Sequence, residues 1–368
     1  MHKTLFDQKE RSLQGSADYN SDPYEYYNDS ARTDVGIVRE TIESWFKMYP
    51  DEEKDEMIAR FKVSFDDTFF ELYIYTLFSA MGYKLSVHPE IPDTLKRPDF
   101  KAEKGTEMFY IEVKHISMLS QTEKSQKRRE NVLLDGMNKI DASNFLLNLK
   151  KITFKDQSQP SNKMIIKFFN EAIGKIDPDE YEKELLRVGF GGMPSITYED
   201  EKVKIELSLF VKVEHKRGIQ SRSIGSHPFQ TQWGNDSATI KSALGTKGSR
   251  YGKFNAPYII CLNKQSISLD ILELQESLYG SMEYSWSTNP ENRDEKLRLS
   301  GNGFFGSSKN KKFTRVSGVY LTNANTANLV STGDHAFRHN QFAEFPISLN
   351  ITSSIQNILQ LKETYPYS

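Results

Sequence analysis

The stretch RPDFKAEKGTEMFYIEVKH, residues 97–115, decides the fold because its pattern predicts two strands joined by a glycine turn. If Gly105-Thr106 forms a two-residue loop of type II′, which prefers glycine first, Asp99 lies opposite Glu112 across the hairpin. Strand alternation gives the second strand an apolar face, the candidate core face, and a polar face with Glu112 and Lys114. The hairpin is therefore predicted to gather Asp99, Glu112 and Lys114 in one patch.

Two carboxylates opposite each other destabilise a sheet unless they are well solvated, paired with a lysine or bound to a divalent cation. Oxygen ligands of this kind suit Mg²⁺, which typically takes one or two carboxylates and completes its shell with water and phosphate oxygens. We therefore predict a Mg²⁺ site at Asp99 and Glu112, in which Mn²⁺ substitutes. Lys114 is then placed to orient or deprotonate a water, or to stabilise charge on a phosphate.

The helix predicted before the hairpin, residues 64–81, adds a third carboxylate. Ser64 suits the N-cap position and Gly82 the C′ position. Glu71 stands among apolar and aromatic residues, where an ionised carboxylate is costly to bury without a cationic partner. Glu71 is therefore a candidate ligand of the same metal. The alternative is a partly exposed glutamate on the wet side of an amphipathic helix.

Composition predicts a soluble globular protein, since the 368 residues are 37% hydrophobic and 27% charged. No apolar run approaches the roughly 20 residues of a membrane span. The start, MHKTLFDQKERS, lacks the apolar region of a signal peptide, which predicts a cytoplasmic protein. The single cysteine, Cys261, is predicted to be a buried thiol. The net charge is −2, but residues 1–56 carry −7 and the rest of the chain +5, which leaves a mildly basic body.

Periodicity predicts further elements along the chain. Helices are predicted at residues 35–48, 122–140, 163–175, 177–187, 236–251 and 269–279. Strands are predicted at residues 83–88, 145–154, 202–214, 257–263 and 315–322. Residues 15–34 are predicted to form an extended polar arm, and residues 285–312 a loop rich in Gly, Ser and Asn.

Three weaker motifs carry less weight. His335 and His339 in HAFRH are four residues apart but have no evident third ligand, so a zinc site is not favoured. GTKGSR lacks the spacing of a phosphate-binding loop. KSQKRRE is better explained as the solvated face of a charged helix than as a contact to a phosphate backbone.

The order of the motifs resembles the PD-(D/E)xK nuclease superfamily, which has the restriction-endonuclease-like fold. Its pieces here are the acid-bearing helix, a strand, Pro98-Asp99 and Glu112-Val113-Lys114, followed later by a helix and a strand at residues 239–251 and 257–263. Pro178-Asp179 with Asp200-Glu201-Lys202 fits the same letters, but these residues predict a helix start and a polar turn, so we reject that match. The runs FFELYIYTLFSAMGYKLSVHPEIP and KGSRYGKFNAPYIICLN also resemble a group of uncharacterised bacterial proteins assigned to this fold.

The resemblance implies an α/β fold with a central mixed β-sheet flanked by helices and interrupted by insertions. It divides the chain into an acidic arm and helix (1–56) and a nuclease-like domain (57–368). The motif core of that domain covers about 64–115 and 236–263, with an insertion at about 116–235 and a C-terminal extension at about 264–368. The resemblance implies that Asp99, Glu112 and Glu71 bind Mg²⁺, that Lys114 is catalytic and that Lys247 contacts the substrate phosphate. The alternative for Lys247, which the sequence favours, is a solvated lysine on the surface of the helix.

The expected function is that of a Mg²⁺-dependent endonuclease in bacterial defence or restriction, acting on nucleic acid, with DNA favoured over RNA. A protein partner or a homo-oligomer is compatible with this expectation, and a membrane partner is not. The alternative is a catalytically inactive nuclease-fold module that binds nucleic acid or a partner protein. A third reading is an effector subunit of an antiviral system that stays silent until triggered.

Overall fold

The structure is a computed structural model that describes residues 3–91, 94–117, 119–226, 236–264, 270–287, 289, 291, 295–329 and 334–364. The chain divides into two compact units. The main unit consists of Met1–Gly15, Pro23–Met118 and Gly234–Ser368, and the small unit of Ser16–Asp22 and Leu119–Trp233. Within the described ranges, no helix combines the length and the apolarity that crossing a membrane requires.

The described residues form ten helices, seven in the main unit and three in the small unit. They are α1 (Pro23–Asp29), α2 (Thr33–Met48), α3 (Lys54–Val63), α4 (Phe65–Ala80), α5 (Gln121–Met137), α6 (Asn162–Ile173), α7 (Pro178–Val188), α8 (Asp236–Gly248), α9 (Ile271–Tyr279) and α10 (Ile351–Thr364). In α4, Ser64 occupies the N-cap position without a side-chain hydrogen bond, and Gly82 follows the helix with a φ of 87°.

The described strands number fourteen. They are β1 (Lys84–Val87), β2 (Phe100–Lys104), β3 (Glu107–Ile116), β4 (Phe145–Phe154), β5 (Ile196–Glu199), β6 (Val203–Val211), β7 (Ile224–Ser226), β8 (Tyr258–Lys264), β9 (Met282–Trp286), β10 (Glu295–Leu299), β11 (Gly306–Ser307), β12 (Asn310–Lys311), β13 (Gly318–Thr322) and β14 (His335–His339).

The main unit is built on a six-stranded sheet in the order β1-β2-β3-β8-β13-β14. The sheet is mixed, because β1, β2 and β3 are antiparallel, β8 runs parallel to both β3 and β13, and β14 is antiparallel to β13. One core joins α4 to the sheet through residues such as Phe70 and Ile111, and a second core on the other face joins α8 through Ile240 and Ile260. The prediction of an α/β protein with a mixed sheet flanked by helices is confirmed.

The hairpin of β2 and β3 has the predicted register, from Lys104 opposite Glu107 to Phe100 opposite Ile111. Gly105 has a φ of 59°, a conformation that glycine adopts without the strain of a Cβ atom. The ladder ends at Phe100, so Asp99 lies one residue beyond the last pair with β3. The turn chemistry therefore fixes which side chains of the two strands become neighbours.

The small unit has a four-stranded sheet in the order β5-β6-β4-β7, whose core includes apolar side chains of α5 and α6. Asp177 caps α7 by accepting from the amides of Asp179 and Glu180, and Pro178 occupies the first turn. Asp200 accepts from the amides of Lys202 and Val203 in a turn. The second match to the nuclease letters is therefore a helix cap and a turn, as predicted.

Three predicted segments differ from the structure. The polar arm contains α1, because Tyr24 is buried and stacks on Phe6. The loop predicted at 285–312 contains the end of β9, its partner β10 and the hairpin β11–β12, since short strands lie between its Gly, Ser and Asn residues. The helix predicted to reach Tyr251 ends at Gly248, where the Tyr258 hydroxyl donates to the carbonyl of Lys247.

Candidate metal and catalytic site

Glu112 is fully buried in β3, and three groups from the end of α8 and the turn after it reach its carboxylate. Oε1 accepts from the Lys247 ammonium and, at 3.2 Å, from the Arg250 guanidinium, and Oε2 accepts from the Tyr251 hydroxyl. Burial, together with the Glu112 charge, raises the pKa of Tyr251, which keeps its hydroxyl protonated. The carboxylate thus has the cations and hydrogen bonds that a buried charge requires.

Glu71 is buried in α4 and is held by two residues that precede it in the chain. Arg60 of α3 donates to both of its oxygens, at 3.3 Å from Nη1 to Oε1 and more closely from Nη2 to Oε2. The Tyr49 hydroxyl donates to Oε1 at 3.1 Å. The cationic partner that the burial of Glu71 demands is therefore a guanidinium in bidentate geometry.

Asp99 is the least compensated of the three carboxylates. Its Oδ2 accepts from the Val113 amide at 2.6 Å, which is its only side-chain hydrogen bond within the described part of the chain. Burial, followed by the charges of Glu112 and Glu71, raises the pKa of Asp99 to about 7, against the opposing effects of the Val113 amide and Lys247. The site therefore holds an excess of negative potential at Asp99, and added positive charge there would be favourable.

Lys114 lies near the C-terminal end of β3, beside the first turn of α4. Its ammonium is 3.8 Å from Oδ1 of Asp67 in the first turn of α4, and its side chain is 42% exposed. Strand alternation places Lys114 on the same side of β3 as Glu112, but its ammonium reaches Asp67 and not the Glu112 carboxylate. The lysine bonded to Glu112 is Lys247.

A pocket of about 270 Å³ brings most of the predicted site residues together. Its lining includes Glu71, Asp99, Lys114 and Lys247, and Lys247 in turn bonds Glu112. A water molecule occupies about 30 Å³ in the liquid, so the pocket has room for a hydrated cation and a phosphate group.

Sequence reasoning missed Arg60, Tyr49 and Arg250. Arg60 and Tyr49 lie 11 and 22 residues before Glu71, and no local pattern connects them. The sequence did indicate that a buried glutamate needs a cationic partner. It did not indicate which residue that partner is. Arg250 was assigned to a helix, whereas it follows the last turn of α8 and from there contacts Glu112.

No protein-family model, no curated protein and no solved structure matches this chain. Over the residues that the structure describes, no group of three or more His, Cys, Asp or Glu side chains is arranged to hold a metal ion. The function must therefore be argued from the site itself.

Proposed function

We propose that the protein is a metal-dependent nuclease with the restriction-endonuclease-like fold, and that it hydrolyses phosphodiester bonds, with DNA as the favoured substrate. The observation that carries the proposal is the meeting of Asp99, Glu71, Lys114 and Lys247 around one pocket, behind which Lys247 bonds the buried Glu112. The chain order of the elements also supports the proposal. The resemblance implies a helix, three strands and then a further helix and strand, and these correspond to α4, β1, β2, β3, α8 and β8.

The donor set fits Mg²⁺ in part. Asp99 fits, because its carboxylate is under-compensated and has only one hydrogen bond from the described residues. Glu112 fits only if Lys247 withdraws, since Lys247, Arg250 and Tyr251 occupy both of its oxygens. Glu71 does not fit in this arrangement, because Arg60 and Tyr49 hold both of its oxygens. We therefore assign Asp99 and Glu112 as the metal pair and Glu71 as a positioning residue.

Bound Mg²⁺ would supply polarisation of the phosphate and a hydroxide nucleophile. The chain's own groups have separate tasks. Lys247, once released from Glu112, is at the pocket wall where its ammonium can bind a phosphate oxygen. Lys114, exposed and held only loosely by Asp67, can donate to the attacking water and orient it. Arg60 neutralises Glu71 and so limits the repulsion of an incoming phosphate.

An inactive nucleic-acid-binding or partner-binding module is the second candidate. It is favoured by the same contacts at Glu112, because Lys247, Arg250 and Tyr251 satisfy the buried carboxylate without any metal. Titration with Mn²⁺ separates the two candidates. Binding that is lost in both Asp99→Asn and Glu112→Gln supports the enzyme, and an absence of binding in the wild type supports the module.

The direct experiment is cleavage of plasmid, linear and single-stranded DNA and of RNA in the presence of Mg²⁺ or Mn²⁺. We expect the wild type to cleave and Asp99→Asn to lose at least about 100-fold in rate. Glu103→Gln is the matched control, since Glu103 is a carboxylate of the same hairpin that pairs with Lys101 and does not line the pocket. Equal cleavage by Asp99→Asn and the control would refute the assignment of the site.

A further inference from the structure

The hairpin of β9 and β10 has one apolar and one polar face. In its register Met282 lies opposite Leu299, and Tyr284 lies opposite Leu297, so these four side chains share a face. Trp286 continues the same face opposite Glu295. The other face is polar, and in it Arg298 pairs with Glu283 at 3.1 Å.

The apolar face is open to solvent along its whole length. The exposed fractions are 56% for Met282, 52% for Tyr284, 63% for Trp286, 61% for Leu297 and 45% for Leu299. With large side chains of about 200 Å² each, these fractions leave roughly 550 Å² of contiguous surface, at the upper end of the patches that monomers tolerate. A surface of this kind marks an interaction site.

The hairpin has no second layer in the described part of the chain. Among the described strands, β9 and β10 pair only with each other, and every residue of both is exposed. A two-stranded hairpin is marginally stable on its own and needs a packing partner over its hydrophobic face. Among the described residues, therefore, the apolar face has no partner of the kind that its composition requires.

We propose that this face docks a second copy of the chain, hairpin against hairpin, around a two-fold axis. Two copies would bury roughly 1,100 Å², which clears the about 1,000 Å² that a specific interface needs. The face is built from the residue types that anchor protein interfaces, including Trp286, Tyr284 and Met282. An isologous contact places this same surface on both sides, so no second complementary patch is needed.

Charge disfavours a nucleic acid as the occupant. The face contains no cation among its described residues, and its one charged member is the carboxylate of Glu295, opposite Trp286. A polyanion would be bound by lysines and arginines, and Lys296 and Arg298 lie on the opposite face of the hairpin. The proposal concerns a surface separate from the carboxylate pocket and does not depend on nuclease activity.

The test is the mass of the full chain by sedimentation over a range of concentrations. We expect the wild type to reach twice the 42.4 kDa chain mass, and Leu297→Glu to weaken dimerisation at least about 30-fold. Ser285→Glu, on the opposite face of β9, is the matched control and should dimerise like the wild type. At a protein concentration low enough to keep the wild type monomeric, the unfolding curves should be unchanged because all these side chains are exposed, which separates lost docking from lost folding.

A second measurement uses disulfide cross-linking. The chain has one cysteine, Cys261, which is buried, so a Leu297→Cys variant offers one accessible thiol. We expect oxidation to give a covalent dimer with Leu297→Cys and not with Ser285→Cys. A wild type that stays monomeric at every concentration overturns the proposal, as does Leu297→Glu dimerising as the control does. Binding of a single-stranded oligonucleotide through Trp286 by a monomeric chain would overturn it in favour of nucleic acid.

Discussion

Replacing Lys247 by methionine tests whether its ammonium holds the place that the proposed metal cation would take. The Lys247 side chain is 14% exposed and bonds a carboxylate that is 1% exposed. Methionine keeps much of the apolar stem of lysine and removes the charge. Of its described partners, Glu112 then retains Arg250, which is 44% exposed, and the Tyr251 hydroxyl.

The expected loss of unfolding free energy follows from these contacts. Breaking a buried ion pair by removing one partner costs about 3–5 kcal/mol. Because Arg250 and Tyr251 still compensate Glu112, we expect about 2–3 kcal/mol. Mg²⁺ should restore most of this loss, since a ligand at 100 times its dissociation constant stabilises the folded state by about 2.7 kcal/mol. The wild type should gain less, because the metal has to displace Lys247 from Glu112.

Urea unfolding followed by circular dichroism, with and without Mg²⁺, gives both quantities. Lys241→Met is the control, because Lys241 is a lysine of the same helix for which no ion pair with a described residue is found. The control should stay within about 0.5 kcal/mol of the wild type in both conditions. A loss below about 0.5 kcal/mol for Lys247→Met, or an equal gain from Mg²⁺ in all three proteins, would refute the reasoning.

Two further predictions concern the other carboxylates. The pKa of Asp99 is raised from 3.8 to about 7, so the folded chain binds this proton more tightly than the unfolded chain. The unfolding free energy should therefore fall by up to about 4 kcal/mol as pH rises from about 4 to about 7. Urea unfolding at a series of pH values measures this fall, and Asp99→Asn should flatten that part of the profile. Arg60→Met should lower the unfolding free energy, measured in urea, by about 2–4 kcal/mol, because it leaves Glu71 with Tyr49 alone. The double variant Arg60→Met, Glu71→Gln should recover part of this free energy. An Arg60→Met variant as stable as the wild type would contradict the pairing.

The hairpin at the centre of the site was predictable because its determinants are local. Gly105 adopts a turn conformation that few other residues adopt, and this turn sets the register of both strands. Alternation correctly separated the core residues Phe109 and Ile111 from Glu112. The turn does not determine where the strand pairing ends. The pairing stops at Phe100, and the Asp99 carboxylate accepts a hydrogen bond from the Val113 amide instead.

The partners of the carboxylates were not predictable, because they come from distant parts of the chain. Lys247 lies 135 residues from Glu112. Tyr251 was predicted to end a continuous helix, whereas α8 ends at Gly248 and the following turn carries Arg250 and Tyr251 to Glu112. The strands β9 and β10 were not predicted for a different reason: the Gly, Ser and Asn residues around them favour a loop.

The most direct test of the metal site is a crystal structure of the wild type soaked with Mn²⁺, with an anomalous map computed at the manganese edge. The proposal predicts a peak about 2 Å from carboxylate oxygens of both Asp99 and Glu112, with the Lys247 ammonium moved away from Glu112. A map without a peak there, in which Lys247 still bonds Glu112, would contradict it.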